Sequence, residues 1–96
     1  MIRHVVFFSV KDRADLETVY DGLSILSGTG EYAHFEVGRN LRTDQISPDG
    51  PDFIVYAEFE DADQMERFKD HALYQESIRI VRPLRDMRIA ADFLSD

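Results

Sequence analysis

Apolar and polar residues alternate along four segments of the chain, and this two-residue period predicts four β-strands. The segments are rich in β-branched and aromatic residues, which fit a pleated surface. They cover residues 2–10, 32–42, 52–60 and 86–94. Both faces of the first segment are largely apolar, so we expect a central strand that is covered on both sides. Gly38, inside the second segment, predicts a bulge or a close approach by another group.

Between the first two strands the apolar period changes to that of an amphipathic helix. In residues 13–27 one helical stripe is formed by Leu16, Val19, Tyr20, Leu23 and Leu26. Asp12 precedes this stripe as a candidate cap, and the cluster at 27–30, which holds two glycines, is expected to end the helix.

A second helical region begins at a capping box, in which Asp61 is the N-cap and Gln64 lies three residues later. Its first apolar stripe consists of Met65, Phe68 and Ala72. A further helical pattern covers residues 73–81, and Pro83 prevents its continuation. Residues 43–51 hold two prolines and one glycine, and they predict a long loop between the second and third strands.

The resulting element order is β-α-β-β-α-β. Each half is a split βαβ unit, so we predict an α+β, ferredoxin-like sandwich with a four-stranded antiparallel sheet and two helices on one of its faces. No linker or low-complexity tract interrupts the pattern, and we expect a single domain over residues 1–96.

The alternation also predicts which side of each strand meets the helices. The apolar residues expected on that face are Val6, Phe8, Phe35, Val37, Phe53, Val55, Ala57, Phe59, Ile89, Ala91 and Phe93. The opposite face mixes apolar and oppositely charged residues, as a self-complementary interface does. We therefore predict a homodimer whose sheets face each other through Arg3, Val5, Phe7, His34, Glu36, Tyr56, Glu58, Arg88 and Asp92. The alternative is a solvated face with scattered apolar residues.

Composition and charge exclude several classes of function. The 19 acidic and 11 basic residues give a formal net charge of −8, which argues against binding nucleic acid or an anionic membrane through a broad basic surface. The chain has no cysteine, so no disulfide, zinc–thiolate site or thiol nucleophile is available. Its longest apolar run extends only from Val5 to Phe8. We therefore expect a cytoplasmic protein without a transmembrane helix or signal peptide.

Five stretches of the sequence resemble one known family. In chain order they are MIRHVVFFSVKD at the start, FEVGRN at 35–40, residues 56–61, DHALYQE at 70–76 and VRPLRDMRIAADF at 81–93. Together they are similar to the stress-responsive dimeric α/β-barrel (Dabb) family over essentially the whole chain. The resemblance implies a ferredoxin-like unit that pairs through its sheet into a barrel. Many members have no assigned activity, some plant relatives are induced by stress, and some close a polyketide ring.

The same resemblance draws attention to His4. In cyclase-like relatives a histidine at the matching position of the first strand is a general base, and a second histidine lies on the later helix. Here that helix begins His71-Ala72-Leu73-Tyr74, where the family commonly has His-Pro-x-His, so Tyr74 stands in place of the second histidine. From the residues alone, His4 lies on the helix-facing side as a buried structural group or as a base near neutral pH. His71 is expected to bond to the backbone at a helix break.

A cavity between helices and sheet is predicted, in which His4 is the polar group of an apolar wall. The other residues that we expect to contact a ligand are Tyr20, Phe68, His71 and Tyr74. Three functions are open at this point. The first is a binding module for a small apolar or aromatic molecule. The second is a cofactor-free cyclase-like or isomerase-like enzyme, with His4 as base and Tyr74 or Tyr20 orienting the substrate. The third is a structural dimer whose aromatic residues only fill the core.

Oxygen and nitrogen ligands for a metal are present in the sequence but lack the spacing of a metal motif. They are His34, Glu36, Glu58 and Asp92. Ion pairs with Arg3 and Arg88 across the predicted dimer explain these residues more simply. We expect no metal and no cofactor.

Overall fold

The elements of the fold follow the predicted order. A computed structural model of the protein describes residues 1–43 and 49–95, so most of the predicted 43–51 loop lies outside the described residues. The strands and helices are β1 (Ile2–Val10), α1 (Leu16–Ser24), β2 (His34–Arg39), β3 (Phe53–Phe59), α2 (Ala62–Asp70), α3 (Ala72–Val81) and β4 (Arg85–Leu94). Short 3-10 helices at Arg13–Asp15 and Ile25–Thr29 flank α1. The α2–α3 pair takes the place of the second helix of a ferredoxin-like fold.

The helix ends follow the local chemistry of the sequence. Asp61 accepts a hydrogen bond from the backbone N–H of Gln64 at 2.8 Å, which confirms it as the N-cap. The Gln64 amide oxygen accepts a hydrogen bond from the N–H of Glu60 at 2.7 Å, one residue before the N–H that a capping box uses. Asp12 likewise accepts from the N–H of Ala14. Gly30, with φ of +66°, ends the first helical region in the left-handed conformation that glycine tolerates. None of the helices in the described part has the length and apolar character needed to cross a membrane.

The sheet is antiparallel with the order β2-β3-β1-β4, so β1 is a central strand as predicted. The predicted bulge at Gly38 is wrong. The β2–β3 pairing runs without a shift from His34–Glu58 to Arg39–Phe53, and the nearest atom to a Cβ at position 38 is the Ile54 carbonyl oxygen, 3.9 Å away. A register shift occurs instead between β1 and β4, where Phe8 pairs with Arg88 but Val10 pairs with Arg85.

The helices cover one face of the sheet, and the core lies between them. The large side chains that are fully buried there are Phe53, Phe59, Phe68, Leu23 and Val19. On β1 and β3 the helix-facing residues are buried as predicted, including Val6, Val55 and Ala57. The other face of β1 is not covered within the chain, because its Phe7 stays 37% exposed.

The predicted orientation of β4 is wrong. Pairs directly across an antiparallel sheet share a face, and β1 residues Val5 and Phe7 of the open face pair with Ala91 and Ile89. Ile89 and Phe93 are 55% and 54% exposed, so they do not belong to the core. The residues that turn toward the helix side are instead the polar ones, Arg88 and Asp92. Among the described residues, β4 adds no buried side chain to the core, so this edge strand faces its apolar side away from the helices.

Candidate functional site

A buried histidine paired with an aspartate lies at the β1–β4 junction. His4 and Asp92 are directly opposite in the strand pairing, and His4 Nδ1 forms a short hydrogen bond with Asp92 Oδ1. His4 is only 6% exposed, and its imidazole packs against the Phe59 ring, with ring centroids 5.9 Å apart. Because a carboxylate oxygen accepts hydrogen bonds, Nδ1 is the donor in this contact. Nε2 forms no hydrogen bond among the described residues, and it is not one of the buried polar atoms without a partner, so it is open to solvent or to the cavity.

His4 lines a small cavity between β1 and α3. Its wall is otherwise mostly apolar and comes from every layer of the fold, including Val6, Leu23, Val55, Phe68, Tyr74 and Ile78. The cavity has a volume of about 40 Å³, which exceeds the space that one water molecule needs. It is smaller than the roughly 150 Å³ that holds a benzene molecule in an engineered cavity. An aromatic ring would therefore displace side chains at the rim.

Two arginines of β4 complete the cavity wall. Arg88 faces the helices in the regular pairing, and the register shift after Phe8 places Arg85, rather than Asp86, opposite Val10. Partial burial, followed by the positive charges of Arg88 and Arg82, lowers the pKa of Arg85. A cationic rim thus borders an apolar cavity that contains a histidine.

Two of the predicted ligand contacts lie in this cavity and two do not. Phe68 and Tyr74 line it, and their rings pack edge to face at 5.4 Å. Tyr20 lies away from it, against Phe53 and beneath the guanidinium of Arg39 at 3.9 Å. The prediction that Tyr20 shares a cavity with His4 is therefore wrong.

His71 also lies outside the cavity wall. It is the residue between α2 and α3, and its Nδ1 accepts a hydrogen bond from the N–H of Leu73 at 3.0 Å. This contact is the backbone bond at a helix break that the sequence analysis expects for His71.

The open face of the sheet carries most of the predicted dimer residues. Tyr56 donates to Glu58 at 2.5 Å, and Arg3 donates to the Tyr56 hydroxyl at 3.3 Å. The hydrogen bond to Glu58, together with burial, raises the pKa of Tyr56. His34 and Glu36 lie beside this group on β2, with 3.6 Å between His34 Nε2 and the Glu36 carboxylate. Arg88 and Asp92, predicted for the same face, lie on the helix side, because β4 has the opposite orientation.

One buried carboxylate was not predicted. Asp52, 6% exposed at the start of β3, accepts hydrogen bonds from the Val10 N–H at 2.9 Å, from Arg13 at 2.6 Å and from Arg42. Burial opposes its ionisation, but the hydrogen bonds from Arg13 and Val10 and the two positive charges outweigh burial and lower the pKa of Asp52. Each oxygen of Asp52 is already in use, so this group joins elements and offers nothing to a ligand.

The candidate metal ligands are not gathered in one place. His34, Glu36 and Glu58 are on the open face, whereas Asp92 bonds His4 on the other side of the sheet. Across residues 1–43 and 49–95, no group of three His, Asp or Glu side chains is placed to hold a metal ion.

Solved structures of similar proteins share this fold. A dimeric ferredoxin-like protein of unknown function from Thermobifida fusca is 26% identical with a TM-score of 0.80, covering 96% of this chain and 88% of that chain. A Dabb family protein from Mesorhizobium loti is 24% identical with a TM-score of 0.77, covering 98% and 95%. A dimeric ferredoxin-like protein of unknown function from Jannaschia is 18% identical with a TM-score of 0.80, covering 98% of both chains. These likenesses confirm the predicted ferredoxin-like fold.

Comparison with proteins of curated function finds no similar sequence. The sequence does match the Dabb family, the Stress responsive A/B Barrel Domain, over residues 2–95. This match spans nearly the whole chain and confirms the resemblance of the five sequence stretches. The protein therefore belongs to the Dabb family.

Proposed function

We propose that this protein is a homodimer that holds a small apolar or aromatic molecule in the cavity between β1 and α3. The main support is the buried His4, whose Nδ1 is fixed by Asp92 and whose Nε2 has no partner among the described residues. Nε2 is not among the buried polar atoms that lack a partner, so it is open to solvent or to the cavity and can bond a ligand. A few polar groups in a mostly apolar wall are typical of a small-molecule site.

The size of the cavity sets a condition on binding. At about 40 Å³ it accepts a ring only if rim side chains move. Tyr74 is partly buried and Arg88 is exposed, so both can change rotamer without breaking the core. The fully buried Phe68, which lines the cavity, would stay in place. Binding is thus expected to order the rim and not to reorganise the sheet.

The open face of the sheet supports pairing of two chains. Its apolar residues include Phe7, Ile89 and Phe93, each more than a third exposed. A second copy of the chain would bury these apolar residues. Dimeric relatives with the same fold agree with this proposal.

A second candidate function is catalysis with His4 as general base, and the Asp92 contact favours it. An aspartate that holds Nδ1–H fixes the tautomer and orients Nε2 for proton abstraction. Tyr74, in the same wall, could donate a hydrogen bond to a carbonyl or phenol. Exchange of solvent deuterium into the carbon next to the carbonyl of an aryl ketone would report such a base. His4→Gln should abolish exchange while the variant remains folded.

Binding itself is tested by a thermal-shift screen of small aromatic and apolar compounds, followed by titration of the hits. His4→Gln and Tyr74→Phe should weaken binding about tenfold, as loss of a hydrogen bond in a desolvated site does. Tyr20→Phe is the matched control, because it is a helix tyrosine outside the cavity, and it should bind like wild type. Hits that bind all four proteins equally would contradict a site at His4.

A further inference from the structure

We infer that the molecule bound in the His4 cavity is a carboxylic acid, with its carboxylate at Arg85 and Arg88 and its apolar part inside. This inference rests on the proposed function and assigns the chemical class of the ligand. Both arginines line the same cavity as His4. Both arginines belong to β4. Helix α3 ends at Val81, shortly before β4 begins, so the rim of the cavity lies where these two elements meet.

The pairing of the other arginines makes this rim unusual. Arg3, Arg13, Arg39, Arg42, Arg67 and Arg79 each lie within 4.0 Å of a carboxylate. Among the described residues Arg82, Arg85 and Arg88 have no such partner, in a chain whose net charge is −8. Three neighbouring arginines without a carboxylate partner create a local positive potential in an acidic protein. This potential attracts an anion that the chain itself does not supply.

The local backbone strengthens this point. Without the register shift after Phe8, Asp86 would lie opposite Val10 on the helix side. The shift replaces that carboxylate by Arg85 and sends Asp86 to a separate surface beside Ser9 and Asp52. A bulge that re-aims a side chain in this way is common next to binding sites. Without the shift, Asp86 and Arg88 would share the rim of the cavity. With the shift, two arginines share it.

The arginine rim and the apolar wall of the cavity together define the chemical class of the ligand. A guanidinium binds a carboxylate through parallel hydrogen bonds, and partial burial makes that contact stronger than in water. Arg85 is partly buried and repelled by Arg88 and Arg82, so an anion between them removes a repulsion as well as forming hydrogen bonds. The apolar wall fits an aromatic or aliphatic group, and His4 belongs to the same wall.

Three matched pairs of compounds test this inference: benzoate with benzamide, phenylacetate with phenylacetamide, and octanoate with octanamide. Each is titrated into the wild-type protein, with binding read from backbone amide shifts in NMR spectra. At least one acid should bind about tenfold more tightly than its amide. The shifts should cluster around α3 and β4.

Arginine variants then test whether Arg85 and Arg88 bind the carboxylate. Arg85→Gln and Arg88→Gln should each reduce acid affinity about tenfold and leave amide affinity unchanged. Arg79→Gln removes the same charge from an exposed residue of α3 that is paired with Glu76, and it should bind acids like wild type. Amides that bind in the cavity as tightly as the acids would overturn the inference and leave the proposed cavity standing. If no acid and no amide binds there, both proposals fail.

Discussion

The two edge strands of the sheet have similar alternating sequences, but their apolar residues lie on opposite faces of the sheet. On β2 the apolar residues Phe35 and Val37 turn toward the helices and pack against the core. On β4 the apolar residues Ile89 and Phe93 turn away, and the polar residues Arg88 and Asp92 take the helix side. The helices pack over β2, β3 and β1 and bury no residue of β4 in the described part of the chain.

Two carboxylates join neighbouring elements, and they differ in what they leave available. Asp52, just before β3, bonds Val10 of β1, Arg13 and Arg42, so both of its oxygens are used within the chain. Asp92 on β4 bonds one nitrogen of His4 and leaves the other unpartnered among the described residues. The apolar side of β2 thus contributes to the core, whereas β4 places two arginines in the cavity wall on one side and leaves its apolar side exposed on the other.

The largest expected difference is in the free energy of unfolding, between substitutions on the apolar sides of the two edge strands. Phe35→Ala on β2 removes a ring that packs near Phe68 and Tyr32, and it should lower the free energy of unfolding by about 2–3 kcal/mol. Phe93→Ala on β4 should cost less than about 1 kcal/mol in the isolated chain, because its ring is exposed there. Urea unfolding at several protein concentrations measures both. An equal, concentration-independent loss in the two variants would refute the assigned orientation of β4.

The next effect concerns Asp52, the buried carboxylate just before β3. Asp52→Asn should destabilise the protein by about 2 kcal/mol near pH 7, because a partnered buried charge is lost. Since the folded state lowers the pKa of Asp52 below its usual 3.8, this stabilisation is present above that pH and disappears as the pH falls through the lower folded value. Acid unfolding curves of the variant and wild type should therefore converge at low pH. Asp21→Asn, at an exposed site, is the control, and a constant difference at all pH values would contradict the assignment.

A smaller effect is expected at the corresponding contact of β4. Asp92→Ala leaves the buried Nδ1–H of His4 without its acceptor, and this should cost about 1–2 kcal/mol. Asp86→Ala removes another exposed carboxylate of the same strand and should change stability by less than about 0.5 kcal/mol. Thermal unfolding of the two variants side by side makes the comparison. Equal stabilities would show that the Asp92 contact does not hold His4.

The smallest effect is expected at Gly38 of β2. The space around this residue admits a Cβ without a clash, so Gly38→Ala should stabilise the isolated chain by about 0.5 kcal/mol through the lower entropy of its unfolded state. Denaturant unfolding at low protein concentration measures this gain. Association of the chains should be unchanged, and a weaker dimer would instead place the partner sheet against this position.

Local signals in the sequence predicted much of the fold. The N-cap at Asp61 and the buried sides of β1 and β3 depend on residues close together in the chain, and these predictions were correct. The orientation of β4 was wrong because a two-residue period shows which side chains share a face but not which face the helices cover. The Asp92 contact with His4 depends on strand register across 88 positions, and Arg85 reaches the cavity only through an unpredicted register shift.

The most direct test of the account is the mass of the protein in solution, because an outward-facing apolar side of β4 requires a partner. Sedimentation equilibrium of the wild type at micromolar concentration should give twice the chain mass of 11.1 kDa. Ile89→Asp should give the single-chain mass with an unchanged circular dichroism spectrum, because the residue lies on the exposed side of β4. A wild-type mass of 11.1 kDa, or an Ile89→Asp variant that remains paired, would contradict the account.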